Sequence, residues 1–263
     1  MSYLKNNLPL WIECALLSVL TYLALYNMPY YETLDGEFGL IELSGALALG
    51  VASIVLFQTY LIWKKKSNNK DYKVWMLIFA AIAFFWASGE EISWGQHFLG
   101  TQTPEWLGAI NGQNETNLHN INKKFFDRTL EQVTVLLTVI SSIQILRGKN
   151  LFIGFKLPSL VLTLSYILIP LYRKNQFEKL AVQHVGFAFL FILTIFFMLK
   201  KQIKNLSICL IAVFFLCAIT YIQETNAHFQ LINNFYHEVR ETLFSVMCVF
   251  YAFELKNYFS EKN

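Results

Sequence analysis

The chain has 263 residues, of which 55% are hydrophobic and only 15% are charged, with a formal net charge of +3 and a mean hydropathy of +0.41. A soluble globular domain carries about 25% charged residues, so this composition excludes an ordinary soluble domain. We expect one integral membrane domain over residues 1–263, in contact with membrane lipid and with no nucleic acid as a partner.

Eight runs of the sequence are long and apolar enough to cross a membrane, which takes about 20 residues in a helix. They lie near residues 8–26, 39–63, 74–96, 129–146, 152–172, 180–199, 206–223 and 238–255. The runs are continuously apolar and lack strict alternation, which favours helices over a membrane β-barrel. The predicted fold is therefore all-α, a polytopic transmembrane bundle of about eight spans.

The distribution of charge between these runs predicts the orientation. With the N-terminus inside, 14 of the 21 Lys and Arg residues fall on the cytoplasmic side, as the positive-inside rule requires. Both termini are then cytoplasmic, and the expected location is a bacterial inner membrane. Fourteen of the 18 acids and all five His residues fall in the outer half. We therefore expect the chemistry of this protein on its non-cytoplasmic face.

The third run ends in the segment Gly89-Glu90-Glu91-Ile92-Ser93-Trp94-Gly95-Gln96-His97. If the helix continues to Gln96, Glu90, Ser93 and His97 share one stripe with Trp94, while Glu91 points about 100° away. Charged side chains at the edge of lipid are costly, so two adjacent acids suggest acid/base work, with Glu90, Glu91 and Ser93 as catalytic candidates. The alternative is one structural ion pair and one acid that faces water.

A long outer loop, at about residues 97–128, follows this run and is expected to be ordered. Thr103 as N-cap and Pro104 at the first position predict a short helix to about Ile110. Glu115 and His119 are four residues apart, and a helix would place both on one face, where they could hold one ion. Glu115 is therefore a further catalytic candidate, and His119 is a candidate metal ligand.

The last run begins with His237 and ends its first turn near Glu241, again four residues apart. Together with His119, and more weakly His97, they could ligate a divalent metal such as zinc. This spacing lacks the specificity of a His-Glu-x-x-His motif. A salt-bridged helix start, favoured by the helix dipole, remains open for the same residues.

The segments Glu90–Gln96 and Glu115–Asn120 resemble those of a group of uncharacterised bacterial polytopic membrane proteins. Those proteins carry a Glu-Glu-Ile-Ser-Trp-Gly-Gln segment followed by a Glu-Thr-Asn-Leu-His-Asn loop, and the resemblance implies no activity. The chain is also weakly similar to the alkaline ceramidase and PAQR-type superfamily, whose members place Ser and His four residues apart on one span and a pair of His on the last span, around a zinc ion. Ser93 and His97 match that pattern, whereas the last run offers His237 and Glu241 where that family has two His.

Three functions are compatible with these patterns. The first is a membrane-embedded, metal-dependent hydrolase or transferase for a lipid or lipid-linked substrate at the outer face. The second is a cation- or proton-coupled permease, and the third is a non-catalytic membrane subunit with a structural polar network. The first requires that the third run, the loop around Glu115–Asn120 and the His237–Glu241 turn meet around one pocket.

Overall fold

The computed structural model describes residues 7–35, 39–67, 71–111, 114–169, 180–226 and 235–262. Within these ranges the chain is helical except for the outer loop and one short hairpin, so the predicted all-α class is confirmed. The α-helices are α1 (Leu8–Tyr26), α2 (Met28–Asp35), α3 (Leu40–Lys66), α4 (Tyr72–Glu91), α5 (Gln96–Leu99), α6 (Glu105–Gly108), α7 (Lys123–Leu146), α8 (Leu160–Leu168), α9 (Leu180–Leu199), α10 (Ile203–Thr225) and α11 (Phe235–Glu261). The hairpin pairs β1 (Leu151–Phe152) with β2 (Phe155–Lys156).

Four helical segments have the length and composition of membrane spans: Leu8–Tyr26, Leu40–Lys66, Tyr72–Glu91 and Arg128–Leu146. Two further apolar helical segments, His184–Leu199 and Ile203–Ile219, are shorter. The long apolar helices indicate an integral membrane protein with several passes. Each of the eight apolar runs contains a helix in the described residues, although only four of these helices meet the length and hydropathy of a span.

The fifth run begins differently from its prediction, because residues 151–156 form a hairpin rather than the start of a span. Ile153 and Gly154 turn the chain with φ angles of 47° and 72°, which closes the antiparallel pair. The helix starts only after Pro158, with the Ser159 side chain accepting from the Leu162 N–H as its N-cap. Apolar residues alone do not distinguish a hairpin from a helix, and the turn decided between them.

Two layers of packing position the outer loop. Helix α3 is in extensive contact with both α4 and α11, and α7 packs on α8 and α9. The α3–α4–α11 layer buries Leu77, Ala81 and Cys248 among its apolar residues. The C-terminal end of α4, the start of α7 and the first turns of α11 therefore lie at one end of the protein, where the loop between α4 and α7 closes over them.

Candidate functional site

The chain breaks sharply at the end of α4. The helix ends at Glu91, and Ser93, Trp94 and Gly95 follow with φ angles of 46°, 53° and 77°. A left-handed conformation costs roughly 1–2 kcal/mol at each non-glycine residue, so tertiary contacts must offset the strain. The predicted stripe of Glu90, Ser93 and His97 on one continuous helix is therefore wrong.

The break folds the Trp94 indole back onto the last turn of α4. A Cβ atom at Gly89 would lie only 2.8–2.9 Å from the Trp94 ring, so the absence of a side chain at Gly89 admits the indole. Trp94 Nε1 donates to Glu90 Oε1 at 2.8 Å. Trp94 and Glu90 are thus in contact, as the helical stripe predicted, but a left-handed turn rather than a continuous helix brings them together.

Glu90 fastens the outer loop to α4. Its Oε2 atom accepts the backbone N–H groups of Leu118 at 2.5 Å and His119 at 3.1 Å, and its side chain is nearly fully buried. The same oxygen lies 4.0 Å from Nδ1 of His119. The prediction that the third run meets the loop around residues 115–120 is confirmed.

Glu115 forms a second buried centre within the loop. Its Oε2 atom accepts from Ser93 Oγ at 2.9 Å, Asn117 Nδ2 at 2.7 Å and Asn120 Nδ2 at 3.0 Å. His97 Nε2 lies 3.8 Å from the other carboxylate oxygen. Three donors on one oxygen form the satisfied network that a buried carboxylate requires.

Glu115 and His119 do not form the predicted helical pair. Residues 114–118 are irregular, and only a single 3-10 turn covers His119–Ile121. The four-residue spacing therefore does not place the two side chains on one face. Glu115 lies with Ser93 and His97, whereas His119 lies beside Glu90.

The short helix of the loop also differs from its prediction. It spans Glu105–Gly108, ending before Ile110, and Thr103 does not cap it. Thr103 Oγ1 instead donates to the carbonyl of Asn114 and accepts from Gln96 Nε2 at 2.8 Å. The hydroxyl therefore joins two parts of the loop, because tertiary partners compete with the local cap.

A cavity of about 380 Å³ opens beside Glu90. Its polar side chains include those of Glu90, Glu91, His119 and Glu241, which brings α4, the loop and α11 to one place. Both adjacent acids of α4 thus reach the same cavity, contrary to the expected separation of Glu91. Most of the other lining residues are apolar: Leu49, Phe84, Trp86, Ala87, Leu118, Phe126, Leu130, Val133 and Phe244.

The structure describes only part of what the first turns of α11 contribute to the cavity. Glu241 lines the cavity as predicted, while the His237 side chain lies outside the described residues. Arg240, which could have paired with the acids of α4, forms an ion pair with Glu131 of α7, with Nη1 2.7 Å from Oε1. This bridge joins α11 to α7 next to the cavity.

The predicted metal centre stays a prediction, because the side chain of His237, one of its ligands, lies outside the described residues. Among them, no three His, Cys, Asp or Glu side chains converge so as to hold one ion. His97 lies with Glu115, apart from His119, and neither His97, Ser93 nor Glu115 lines the cavity. No chemical step is therefore assigned to a metal.

Several residues of this site carry no signal in the sequence alone. Asn111 Nδ2 donates to the Asn117 carbonyl at 2.7 Å and to Asn117 Oδ1 at 3.0 Å. Gln96 Oε1 accepts from the Thr116 N–H at 2.6 Å. The density of Asn and Gln in residues 111–120, a stretch without Lys, was the available sign, but amides in loops are common and their partners depend on the fold.

Comparison of the chain with family models, with curated proteins and with solved structures gave no match.

Proposed function

We propose that the protein is a membrane-embedded hydrolase or transferase acting on a lipid or lipid-linked substrate at the non-cytoplasmic face. The observation that carries this proposal is the cavity of about 380 Å³, which combines an apolar wall with Glu90, Glu91, Glu241 and His119. Apolar cavities with a few convergent polar groups are the usual form of small-molecule sites. An acyl or isoprenoid chain would occupy the apolar wall, and the polar linkage would face the acids and the imidazole.

The site residues then divide into three roles. His119 takes the proton of an attacking hydroxyl or water as its oxygen bonds to the ester carbon or phosphorus, and returns it to the departing oxygen. Glu90 is a positioning residue, since it holds the backbone of His119 and lies 4.0 Å from Nδ1. Glu91 and Glu241 contact the substrate at the cavity wall. In this proposal Ser93 and Glu115 serve the loop rather than the reaction, because they lie outside the cavity.

The membrane arrangement belongs to the same proposal. We take the eight apolar runs as eight spans with both termini cytoplasmic, in a bacterial inner membrane. The 14-to-7 division of basic residues supports this orientation. The cavity then opens at the outer face, where lipid-linked intermediates are exposed to enzymes of this kind.

The proposal is tested by reconstituting the full chain into vesicles of phosphatidylethanolamine and phosphatidylglycerol that carry radiolabelled lipid. Product release is measured for the wild type, His119→Gln and the matched control His184→Gln. His184 is an exposed imidazole on α9, and it does not line the cavity. We expect His119→Gln to lower the rate by about 10²–10⁴-fold, the usual contribution of a general acid/base, with an unchanged melting temperature. The control should retain the wild-type rate.

Two outcomes would contradict the enzyme. One is a wild-type protein that releases no more product than protein-free vesicles. The other is a His119→Gln variant as active as the wild type. Either outcome favours the alternative of a non-catalytic membrane subunit, which is supported by the hydrogen bonds that the Glu90 and Glu115 carboxylates accept from the loop and from the break after α4.

A further inference from the structure

The rim of the Glu90 cavity includes exposed side chains from two membrane-spanning helices. Trp86 of α4 and Val133 of α7 both line the cavity and are 50% and 41% exposed. Each lies five residues from the end of its apolar segment next to the outer loop, which is Glu91 in α4 and Arg128 in α7. At 1.5 Å per residue, both are roughly 7–8 Å into the span. The space between them is therefore at the depth of lipid hydrocarbon.

The packing of the helices leaves this side of the cavity open. Helix α4 packs on α3, and α7 packs on α8 and α9, but among the described residues α4 and α7 are not packed against each other. Phe126 and Thr129 of α7 also line the cavity and are exposed. The side chains of α4 and α7 thus form the two sides of a lateral opening, which we call the mouth.

Behind the mouth, the cavity has a buried floor. Leu49 of α3 and Ser245 of α11 line it and are only 6% and 4% exposed. Both helices belong to the layer in which α3 packs on α4 and α11. A membrane lipid can therefore touch these two side chains only if part of it enters the cavity.

The chemistry of the cavity changes with depth. Glu90, Glu91 and His119 place carboxylates and an imidazole at the end of the span, whereas the wall near Trp86 and Val133 is apolar. A lipid has the same order, with its polar group at the membrane surface and its chains below. The volume of about 380 Å³ is near the lower end of the range of about 300–1,000 Å³ for small-molecule sites. This is too small for a whole two-chain lipid, so the rest of the lipid has to remain outside.

We propose that a lipid of the outer leaflet enters the Glu90 cavity sideways, through the mouth between α4 and α7. One of its chains contacts Leu49 and Ser245, while the rest of the lipid stays in the bilayer. This route rests on the proposed function, since the lipid is taken as the substrate of the cavity. It also leaves intact the hydrogen bonds from the Leu118 and His119 N–H groups to Glu90, so the outer loop does not have to open.

The test is photolabelling of the full chain in vesicles that contain a phosphatidylglycerol with a diazirine on one acyl chain. A lateral mouth admits the chains of surrounding phospholipids, so this probe reports the opening. We expect mass spectrometry to find label on Leu49 and Ser245. The negative control is Leu56, which is buried on α3 seven residues from Leu49 and does not line the cavity. The positive control is Phe79, an exposed side chain of α4.

A tryptophan in the mouth should block the route. We expect Thr129→Trp to remove the label from Leu49 and Ser245 while Phe79 stays labelled. Leu136→Trp is the matched control, because it adds the same side chain at an exposed position of α7 seven residues away, outside the cavity. It should be labelled as the wild type is. Both positions are exposed, so melting curves should show both variants folded.

The labelling needs no turnover, which separates the route from the reaction. Label on Phe79 without label on Leu49 and Ser245 in the wild type would overturn the lateral route, even if product is released. Equal labelling of the floor in Thr129→Trp and Leu136→Trp would overturn it as well. Label on the floor without product release would contradict the enzyme and leave the lipid-binding cavity in place.

Discussion

Two carboxylates, Glu90 and Glu115, determine how the outer loop is held. Each accepts three hydrogen bonds from groups that the loop and the α4 break supply. A buried carboxylate left without donors would be strongly unfavourable, so the loop conformation and the charge stabilise each other. Both acids therefore hold the loop in place.

The residue-scale prediction concerns Glu115→Gln. The substitution keeps the shape of the side chain but makes three charge-assisted hydrogen bonds neutral, so the free energy of unfolding should fall by about 2 kcal/mol. Thermal melting and limited proteolysis between residues 97 and 121 would measure the loss. The matched control is Glu105→Gln, an exposed acid in the same loop, which should change stability by less than about 0.5 kcal/mol. Equal stability of the two variants would contradict a structural role for Glu115.

The break after α4 is the element that creates the site. A helix that continued to Gln96 would not have the left-handed turn that brings Ser93 to Glu115. The left-handed residues instead turn Ser93 toward Glu115 and Trp94 toward Glu90. The strain at Ser93 and Trp94 is offset by these bonds and by the donation of Thr116 Oγ1 to the Ser93 carbonyl at 2.7 Å.

The element-scale prediction compares two helical glycines. Gly89→Ala places a methyl group 2.8–2.9 Å from the rigid Trp94 ring, so it should displace the indole from Glu90 and lower the melting temperature. Gly50→Ala places its methyl group 3.4 Å from Ser88 Oγ, an ordinary contact, and should be neutral or stabilising by up to about 1 kcal/mol through helix propensity. The change in tryptophan fluorescence, measured with the melting curves and compared with that of a Trp94→Phe variant because the chain has six Trp residues, reports the displacement. A Gly89→Ala variant that melts as Gly50→Ala does would show that the indole does not need this contact.

At the scale of the whole molecule, α11 connects the two cavities. Its first turns carry Glu241 to the Glu90 cavity, and its later turns carry Glu254 to a second cavity of about 490 Å³. Its packing against α3 fixes its position relative to α4.

The prediction for the whole molecule is its orientation. In a background without the native cysteines, Ala109→Cys in the outer loop should react with an impermeant thiol reagent added to intact cells. Gln202→Cys, between α9 and α10, should react only after the membrane is opened. Both positions are exposed, so access rather than burial decides the result. The reverse pattern would place the Glu90 cavity on the cytoplasmic side.

The sequence by itself determined that the protein is helical and membrane-embedded, because hydropathy and run length act on each segment separately. It also predicted that the end of α4 meets the loop near Glu115–Asn120, since so many acids at the edge of lipid must share donors. Only the tertiary structure decided which donors they share. Trp94 contacts Glu90 through a left-handed turn. Thr103 donates a hydrogen bond to the carbonyl of Asn114 instead of capping the short helix. Glu115 lies beside His97, and His119 lies beside Glu90. Helical spacing could not predict these two pairs, because the loop around them is not helical. The partner of a side chain depends on the backbone turns around it. Those turns are stabilised by tertiary contacts, which exist only in the folded chain.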